Sequence, residues 1–214
     1  MNPLDVIIAD GVRSVLEEDL GRVTYRNVER EVRGMYGLGV REAAGDFAKL
    51  DLVLRKFFGR HAANVESKAF RKIMSLEKGG RGGGGGGGGA TLNITHDTVT
   101  RYVFESYGDP AKRAILDMMR RPMTVPDVIA ASGLPKASTY SRIRDLLDGG
   151  LLAVAGRAEA RDGRSVKELS ATLRRVAFDV RDSWIGVSAG LDNAILSRSF
   201  AFNSIVQTRA RQSK

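Results

Sequence analysis

Cysteine is absent from the 214-residue sequence, and histidine is rare. Without cysteine the chain can form no disulfide bond, no thiolate metal site and no cysteine nucleophile. The two histidines, His61 and His96, lack the short spacing of a metal-binding pair. We therefore predict neither a bound metal nor a cofactor.

Long apolar runs and catalytic motifs are missing as well. No run approaches the ~18 apolar residues of a membrane span, and the N-terminus lacks the pattern of a secretory signal peptide. We find no nucleophile–base pair, carboxylate dyad or metal cluster of the kind that indicates an enzyme. The sequence therefore predicts a cytoplasmic protein that is not an enzyme.

The sequence has fewer acidic than basic residues: 25 acidic and 34 basic residues give a net charge of +9. Residues 1–78 hold 14 basic and 12 acidic residues, whereas residues 90–214 hold 19 basic and 13 acidic ones. Of those 19 basic residues, 15 are arginine, which forms forked hydrogen bonds with phosphate and guanine. This balance favours a polyanionic partner such as nucleic acid; an anionic membrane surface or a generally basic surface is the alternative.

Glycine is concentrated in one tract, because residues 79–89 read GGRGGGGGGGG. Polyglycine buries no side chain and loses the most backbone entropy on ordering, so we predict a flexible tether that spans roughly 18–20 Å. A phosphate-binding loop would end in Gly-Lys-Ser/Thr, whereas Ala90-Thr91 follows here. The tract is therefore predicted to link a module over 1–78 to a second part of the chain.

The first module has the pattern of amphipathic helices. Apolar residues recur at helical spacing, and glycines stand at the breaks. The Phe and Met side chains are typical of a core, with a ligand cavity or a dimer face as the alternative. We predict a helical module for association or sensing, with helices over about 3–20, 24–36, 41–58 and 61–77.

The second part mixes helices with short strands. Asp109-Pro110 predicts a sharp helix start, Thr124 a helix N-cap and Gly133 a turn. The periodicity predicts helices over 97–107, 110–119, 124–132 and 135–148, and strands over 151–154 and 166–171.

A further hairpin is predicted downstream of these strands. Residues 176–180 alternate with period two, and residues 183–189 can pair back on them. The hairpin would complete a domain over 90–190, and the tail over 191–214 can form one more helix. The predicted fold is mainly α with a small β component: a helical module, a Gly-rich linker, and a winged helix-turn-helix with an extra β-hairpin.

Two motifs carry a resemblance to a known family. The segments GDPAKRAILDMM (108–119) and VPDVIAASGLPKASTYSRIRDLLDGGLL (125–152) resemble the ArsR-like winged-helix transcription regulators of archaea and bacteria. The likeness covers about 97–171 and implies a DNA-binding regulator. Metal-sensing members commonly use cysteine ligands, so metal sensing through thiolates is not implied here. The module over 1–78 matches no family that we recognise.

The helix over 135–148 carries the motif most relevant to DNA binding. Tyr140, Ile143, Leu146 and Leu147 share one face and are predicted to anchor the helix. The other face carries small hydroxyl and basic side chains, which fit a major groove only ~12 Å wide. An ordinary solvent-exposed face is the alternative. We predict a recognition helix whose DNA contacts are Lys136, Ser138, Thr139, Ser141 and Arg142.

A basic loop over about 156–166 is predicted to form the wing. Asp162-Gly163 is a strong hairpin-turn signal, and Lys167 adds a cation to the following strand. A solvated run of charges is the alternative to DNA contact. The predicted wing contacts are Arg157, Arg161 and Arg164.

Together these features predict a sequence-specific regulator of transcription that binds double-stranded DNA and is associated with the nucleoid. A protein–protein adaptor and a non-specific nucleoid protein are the alternatives. We expect a homodimer, because winged-helix proteins usually pair two recognition helices across an inverted repeat. The module over 1–78 is predicted to bind an effector or a protein partner, which the sequence does not identify. The apolar surface for dimerisation is predicted from Val99, Val103, Phe200 and Phe202.

Overall fold

Helices dominate the fold and two antiparallel sheets complete it, which confirms the prediction of a mainly α protein with a small β component. The computed structural model describes residues 1–77, 90–159, 163–182 and 184–205. The helices are α1 (Pro3–Tyr36), α2 (Val40–Gly45), α3 (Phe47–Phe58), α4 (Ala62–Ile73), α5 (Asp97–Gly108), α6 (Pro110–Met118), α7 (Val125–Ser132), α8 (Lys136–Asp148) and α9 (Asn193–Arg198). The strands are β1 (Met74–Glu77), β2 (Thr91–Ile94), β3 (Met123–Thr124), β4 (Leu152–Glu159), β5 (Ser165–Ala171), β6 (Leu173–Arg181) and β7 (Trp184–Leu191).

Helix α1 is bent at Gly21, between the two helices predicted over 3–20 and 24–36. Gly21 has φ 72° and ψ 159°, a conformation that glycine adopts readily. At the start of the helix, the Asn2 side chain accepts a hydrogen bond from the Leu4 N–H. The two predicted helical segments are confirmed, and a kink rather than a loop joins them.

The helix predicted over 61–77 is wrong at its C-terminal end. Helix α4 stops at Ile73, and the next four residues form β1. Met74 and Leu76 are buried and alternate with exposed residues, which is the period of a strand. An alternation over only four residues does not distinguish a strand from the end of a helix. The strand forms because these residues pair with β2, and the sequence pattern does not show that pairing.

The larger sheet has the order β1-β2-β7-β6 and is antiparallel throughout. Strands β6 and β7 form the predicted hairpin, with Phe178 opposite Val187. Strand β2 pairs with both β1 and β7. The strands that flank residues 78–89 therefore belong to one sheet, although those residues themselves lie outside the described ranges.

The N-terminal half (residues 1–77) and the C-terminal half (residues 90–205) also share a hydrophobic core. Phe47 of α3 stacks on Phe200, with 4.6 Å between the ring centroids. The predicted linker thus joins two halves that are packed against each other.

A buried polar contact reinforces this packing. The Asp5 carboxylate of α1 accepts hydrogen bonds from the Ser199 hydroxyl at 2.6 Å, the Phe200 N–H at 3.1 Å and the Ala201 N–H at 3.3 Å. Residues 200–205 are helical, so Asp5 supplies acceptors to free N–H groups at the start of this segment. Part of the predicted C-terminal helix is therefore present and tied to the N-terminus.

The smaller sheet, of order β3-β5-β4, packs with α6, α7 and α8. Thr124 caps α7 and Asp109 caps α6, as the sequence predicted. Val128, Leu146 and Leu169 are buried between these helices and the sheet. Within the described ranges, no helix has the length and apolar character needed to cross a membrane.

Candidate nucleic-acid interface

Helix α8 follows a tight turn and buries one narrow stripe. Gly133 ends α7 with φ 65°, a left-handed conformation that favours glycine. Thr139, Ile143 and Leu146 are buried, at positions i, i+4 and i+7. Ile143 and Leu146 are therefore buried as predicted, whereas Thr139 takes the place in the stripe that was predicted for Tyr140.

Two of the predicted assignments on α8 are corrected by the structure. Thr139 was predicted to contact DNA, but it is fully buried and its hydroxyl donates to the Pro135 carbonyl at 3.2 Å. Tyr140 was predicted to anchor the helix, but it is 46% exposed. A threonine can satisfy its own hydroxyl on the i−4 carbonyl, and this allows Thr139 to replace a hydrophobic residue in the buried stripe.

Arg142 is held by contacts within the protein. Its guanidinium donates to the Ser138 hydroxyl and to the Ser138 carbonyl, the latter at 3.4 Å. Its Nε lies 3.9 Å from the Asp109 carboxylate at the start of α6. Arg142 and Ser138 are both half-buried and bonded to each other, so neither side chain is free to contact a base.

The exposed row of α8 consists of Ala137, Ser141 and Arg144, one helical turn apart. The Arg144 side chain is 84% exposed, and its only ion pair in the described structure is with the equally open Asp148 at 3.7 Å. Exposed pairs of this kind contribute little energy and separate easily. Tyr140 was missed as a contact because an aromatic side chain at this spacing was assigned to the anchoring face, and nothing in the periodicity singled out Arg144.

The start of α8 is also open to an anion. Lys136 is exposed and forms the first residue of the helix. Pro135 occupies the N-cap position, and no side chain there accepts from the first N–H groups. Free N–H groups and the positive end of the helix dipole attract phosphate.

The acidic residues of α8 lie away from this end. Asp145 is 3.5 Å from the Lys112 Nζ of α6, so its charge is partly compensated. Asp148 ends the helix. The Asp109 carboxylate beside Arg142 has a lowered pKa, chiefly because it accepts a hydrogen bond from the Lys112 N–H and another from the Ala111 N–H. It stays ionised and holds the α6–α8 corner together.

The ribbon formed by β4 and β5 extends beyond the helices and carries two opposed cations. Arg157 and Lys167 are directly opposite each other in the register, and both are exposed. Neither has an ion-pair partner among the described residues. Like charges at this cross-strand position repel each other. The ribbon therefore holds two opposed positive charges that form no ion pair in the described part of the chain.

These two cations lie on the same side of the small sheet as α8. Alternate residues of a strand point to the same face, so Lys167 lies on the same face of β5 as Leu169 and Ala171. Leu169 and Ala171 are buried against the helices. Arg157 shares the face of Lys167 because it is the opposite residue on β4. Arg157 and Lys167 thus lie on the face of the small sheet that packs against the helices nearer its base.

Of the other two predicted wing residues, Arg161 and Arg164, the structure describes only Arg164. Arg164 is exposed next to the start of β5. Arg161 lies outside the described residues. A bulge between Val154 and Gly156 interrupts the β4–β5 ladder near its base and changes the direction of the ribbon.

In the part of the chain that the structure describes, no three His, Asp or Glu side chains come together as a metal site would require. Comparison of the chain with protein-family models, curated proteins and solved structures finds no match. The resemblance to ArsR-like regulators therefore stays a prediction from the sequence motifs.

Proposed function

We propose that this protein is a transcription regulator that binds double-stranded DNA in a sequence-specific manner, through a winged helix-turn-helix formed by α6, β3, α7, α8, β4 and β5. The observation that carries the proposal is the opposed pair Arg157 and Lys167, which repel each other on an exposed ribbon beside α8. A phosphate between them would remove this repulsion. Neither cation is needed for the packing of the core.

In this proposal α8 enters the major groove and the ribbon contacts the flanking backbone. In the exposed row of α8, the Ala137 methyl group can contact the methyl group of thymine, and the Arg144 guanidinium can form hydrogen bonds with guanine. The Ser141 hydroxyl can form a hydrogen bond with several bases. Tyr140 and Lys136 flank the row. The proposed contact residues are Lys136, Ala137, Tyr140, Ser141, Arg144, Arg157, Arg164 and Lys167. Arg161 also stays a predicted contact.

Selection from a random duplex library tests the proposal. The full chain should enrich a common motif, and it should bind the selected duplex at least 10³-fold more tightly than a shuffled duplex of the same length. Equal binding to the two duplexes would indicate a non-specific nucleoid protein. If neither duplex binds at low salt, the function as a DNA-binding protein is wrong and the adaptor alternative takes its place.

We also propose a homodimer, because one recognition helix reads only a few base pairs. The surface predicted for dimerisation needs correction. Val99 and Val103 are buried in the core, and Phe200 stacks on Phe47. Phe202 packs against the same core. Sedimentation of the full chain should give twice the monomer mass at tens of micromolar, and a monomer there would remove the dimer from the account. An effector or partner of the N-terminal half stays a prediction.

A further inference from the structure

A cleft of about 600 Å³ lies along β4, which is an edge strand of the small sheet. Ala153 and Ser170, paired across β4 and β5, form part of its floor. The N-terminal residues and α9 form the opposite wall. The volume is typical of sites for small ligands, which range from about 300 to 1,000 Å³. The cleft is separate from the exposed row of α8.

The lining of this cleft is largely apolar. Val154 is 55% exposed, although its register partner Leu169 is buried. Ile195 of α9 and Pro122 also line the cleft. The Asn2 amide donates to the Ile195 carbonyl at 2.8 Å and fixes α9 against the N-terminus. The apolar wall is therefore held in place by a contact between distant parts of the chain.

Two arginines line the cleft, and only one of them has an acidic partner in the described part of the chain. Arg174 lies 3.3 Å from the Asp192 carboxylate, and these two charges compensate each other. Arg198, at the end of α9, also lines the cleft and has no hydrogen-bond or ion-pair partner in the described part of the chain. The positive charge of Arg198 thus remains available beside an apolar surface.

We propose that the cleft binds a small amphipathic organic anion, such as an aliphatic or aromatic carboxylate. The apolar body of the ligand lies on Val154 and Ile195, and its anionic group pairs with Arg198. A neutral apolar ligand would leave the Arg198 charge unmatched, and a cation would be repelled by it. The apolar lining, the single uncompensated arginine and the volume together define this ligand class.

Binding at this cleft would act on the ribbon. The bulge residue Ala155 lines the cleft, and Arg157 follows two positions later on the same strand. A ligand that alters the bulge changes the direction of the ribbon and therefore the position of the opposed cations. This regulatory step rests on the proposed function, whereas ligand binding itself does not.

The binding experiment uses the full chain and the fluorescent probe 8-anilinonaphthalene-1-sulfonate, which has an apolar body and one anionic group. One probe per chain should bind, and Arg198→Gln should weaken its binding at least fivefold. Arg198→Lys should restore most of the affinity. Arg120→Gln, which removes another exposed arginine that lies outside the cleft, should bind the probe as the parent does. Unchanged binding by Arg198→Gln would overturn the proposal.

A second pair of variants tests the apolar wall. Val154→Glu should abolish probe binding, because it adds a negative charge to the cleft. Val180→Glu makes the same change at a valine that is also exposed but lies on β6 outside the cleft, and it should have no effect. Equal effects of the two variants would also overturn the proposal. Circular dichroism spectra identical to the parent's show that both variants are folded.

Competition defines the ligand class. Decanoate, used below its micelle concentration, should displace the probe, whereas decyltrimethylammonium should not. Equal displacement by the two would contradict the assignment of an anion site. The regulatory step is tested separately, because saturating decanoate should change the affinity for the selected duplex at least threefold. If decanoate displaces the probe and leaves DNA binding unchanged, the regulatory step is wrong. If no duplex binds at all, the proposed function fails while the ligand site stands.

Discussion

At the scale of single residues, two neighbouring arginines of α8 have different surroundings and should behave differently. Arg144 is open to solvent, whereas Arg142 is engaged with Ser138 and Asp109. Arg144→Gln should weaken binding to the selected duplex by roughly 1–3 kcal/mol, the usual value of a good base contact. Arg142→Gln should leave this affinity nearly unchanged and lower the stability by about 0.2–1 kcal/mol, because it removes a partly exposed ion pair.

Titration of the selected duplex with both variants, together with urea unfolding, checks this prediction. The original assignment of Arg142 as a base contact predicts the opposite order of affinities. If only Arg142→Gln weakens DNA binding, α8 must be oriented differently on the DNA.

A second residue-scale prediction concerns Glu66 on α4, which is buried and whose Oε1 has no hydrogen-bond partner in the described structure. Burial, and then the neighbouring Asp51 carboxylate, raise the pKa of Glu66 from 4.5 to about 8. A carboxyl group whose pKa is higher in the folded than in the unfolded state stabilises the fold below its unfolded pKa. This contribution is lost as the pH rises through the folded pKa.

The stability of the protein should therefore fall between about pH 4.5 and pH 8. Glu66→Gln has no charge to lose, so it should exceed the parent in stability by on the order of 2 kcal/mol at high pH and match it at low pH. Urea unfolding at about pH 3.5 and about pH 9 measures both values. Parallel pH curves for the two proteins would show that Glu66 does not titrate in this range.

At the scale of elements, the β4–β5 ribbon should be strained by its own charges when no DNA is bound. Arg157 and Lys167 repel each other across the strands. Replacing both with Gln should raise the stability of the free protein by about 0.2–1 kcal/mol, because the repulsion disappears. Urea unfolding without DNA measures this change. A loss of stability would show that the two side chains support the fold, and their functional assignment would then lose its basis.

The elements of the fold differ in how far the sequence predicts them. Helix starts at Asp109 and Thr124 and the turn at Gly133 were predicted, because caps and turns depend on local chemistry. Strands β1 and β2 were missed. Each has four residues, and β2 is held by partners such as Ala189, almost a hundred positions away in the chain.

The candidate site was predicted only in part, for a related reason. Lys136, Ser141 and Arg157 are exposed as the prediction requires. The anchoring face of α8 was predicted correctly at Ile143 and Leu146 but not at Tyr140, because periodicity alone does not show that Thr139 can be buried with its hydroxyl bonded to Pro135. The rotation is fixed by tertiary packing, which a single sequence does not display.

At the scale of the whole molecule, the start of α1 lies against the loop that follows α8. A Cβ atom on Gly150 would lie 2.5 Å from the Pro3 carbonyl oxygen, and Gly150 has a positive φ. Gly133 also has a positive φ, but it has open space around its Cα. Gly133→Ala should cost about 1–2 kcal/mol for the left-handed backbone alone. Gly150→Ala should cost clearly more, because the neighbouring atom belongs to the backbone.

Urea unfolding of the two variants measures this difference, and Gly133→Ala serves as the matched control. The excess cost of Gly150→Ala reports the packing of the N-terminal half on the end of α8. Equal costs would mean that the two halves are separate in solution, as a tether between independent modules would allow.

The central claim is that α8 and the β4–β5 ribbon bind DNA, and the salt dependence of binding tests it most directly. Each phosphate contact lowers log affinity by about 0.9 per unit of log salt concentration. The slope for Arg157→Gln/Lys167→Gln should be smaller than that of the parent by about 1.8, or two phosphate contacts. Arg33→Gln/Arg55→Gln removes the same charge from α1 and α3, far along the chain from the ribbon, and should keep the slope of the parent. Equal slopes for the parent and the ribbon variant would show that the ribbon does not contact DNA phosphates, and the observation that carries the proposed function would be lost.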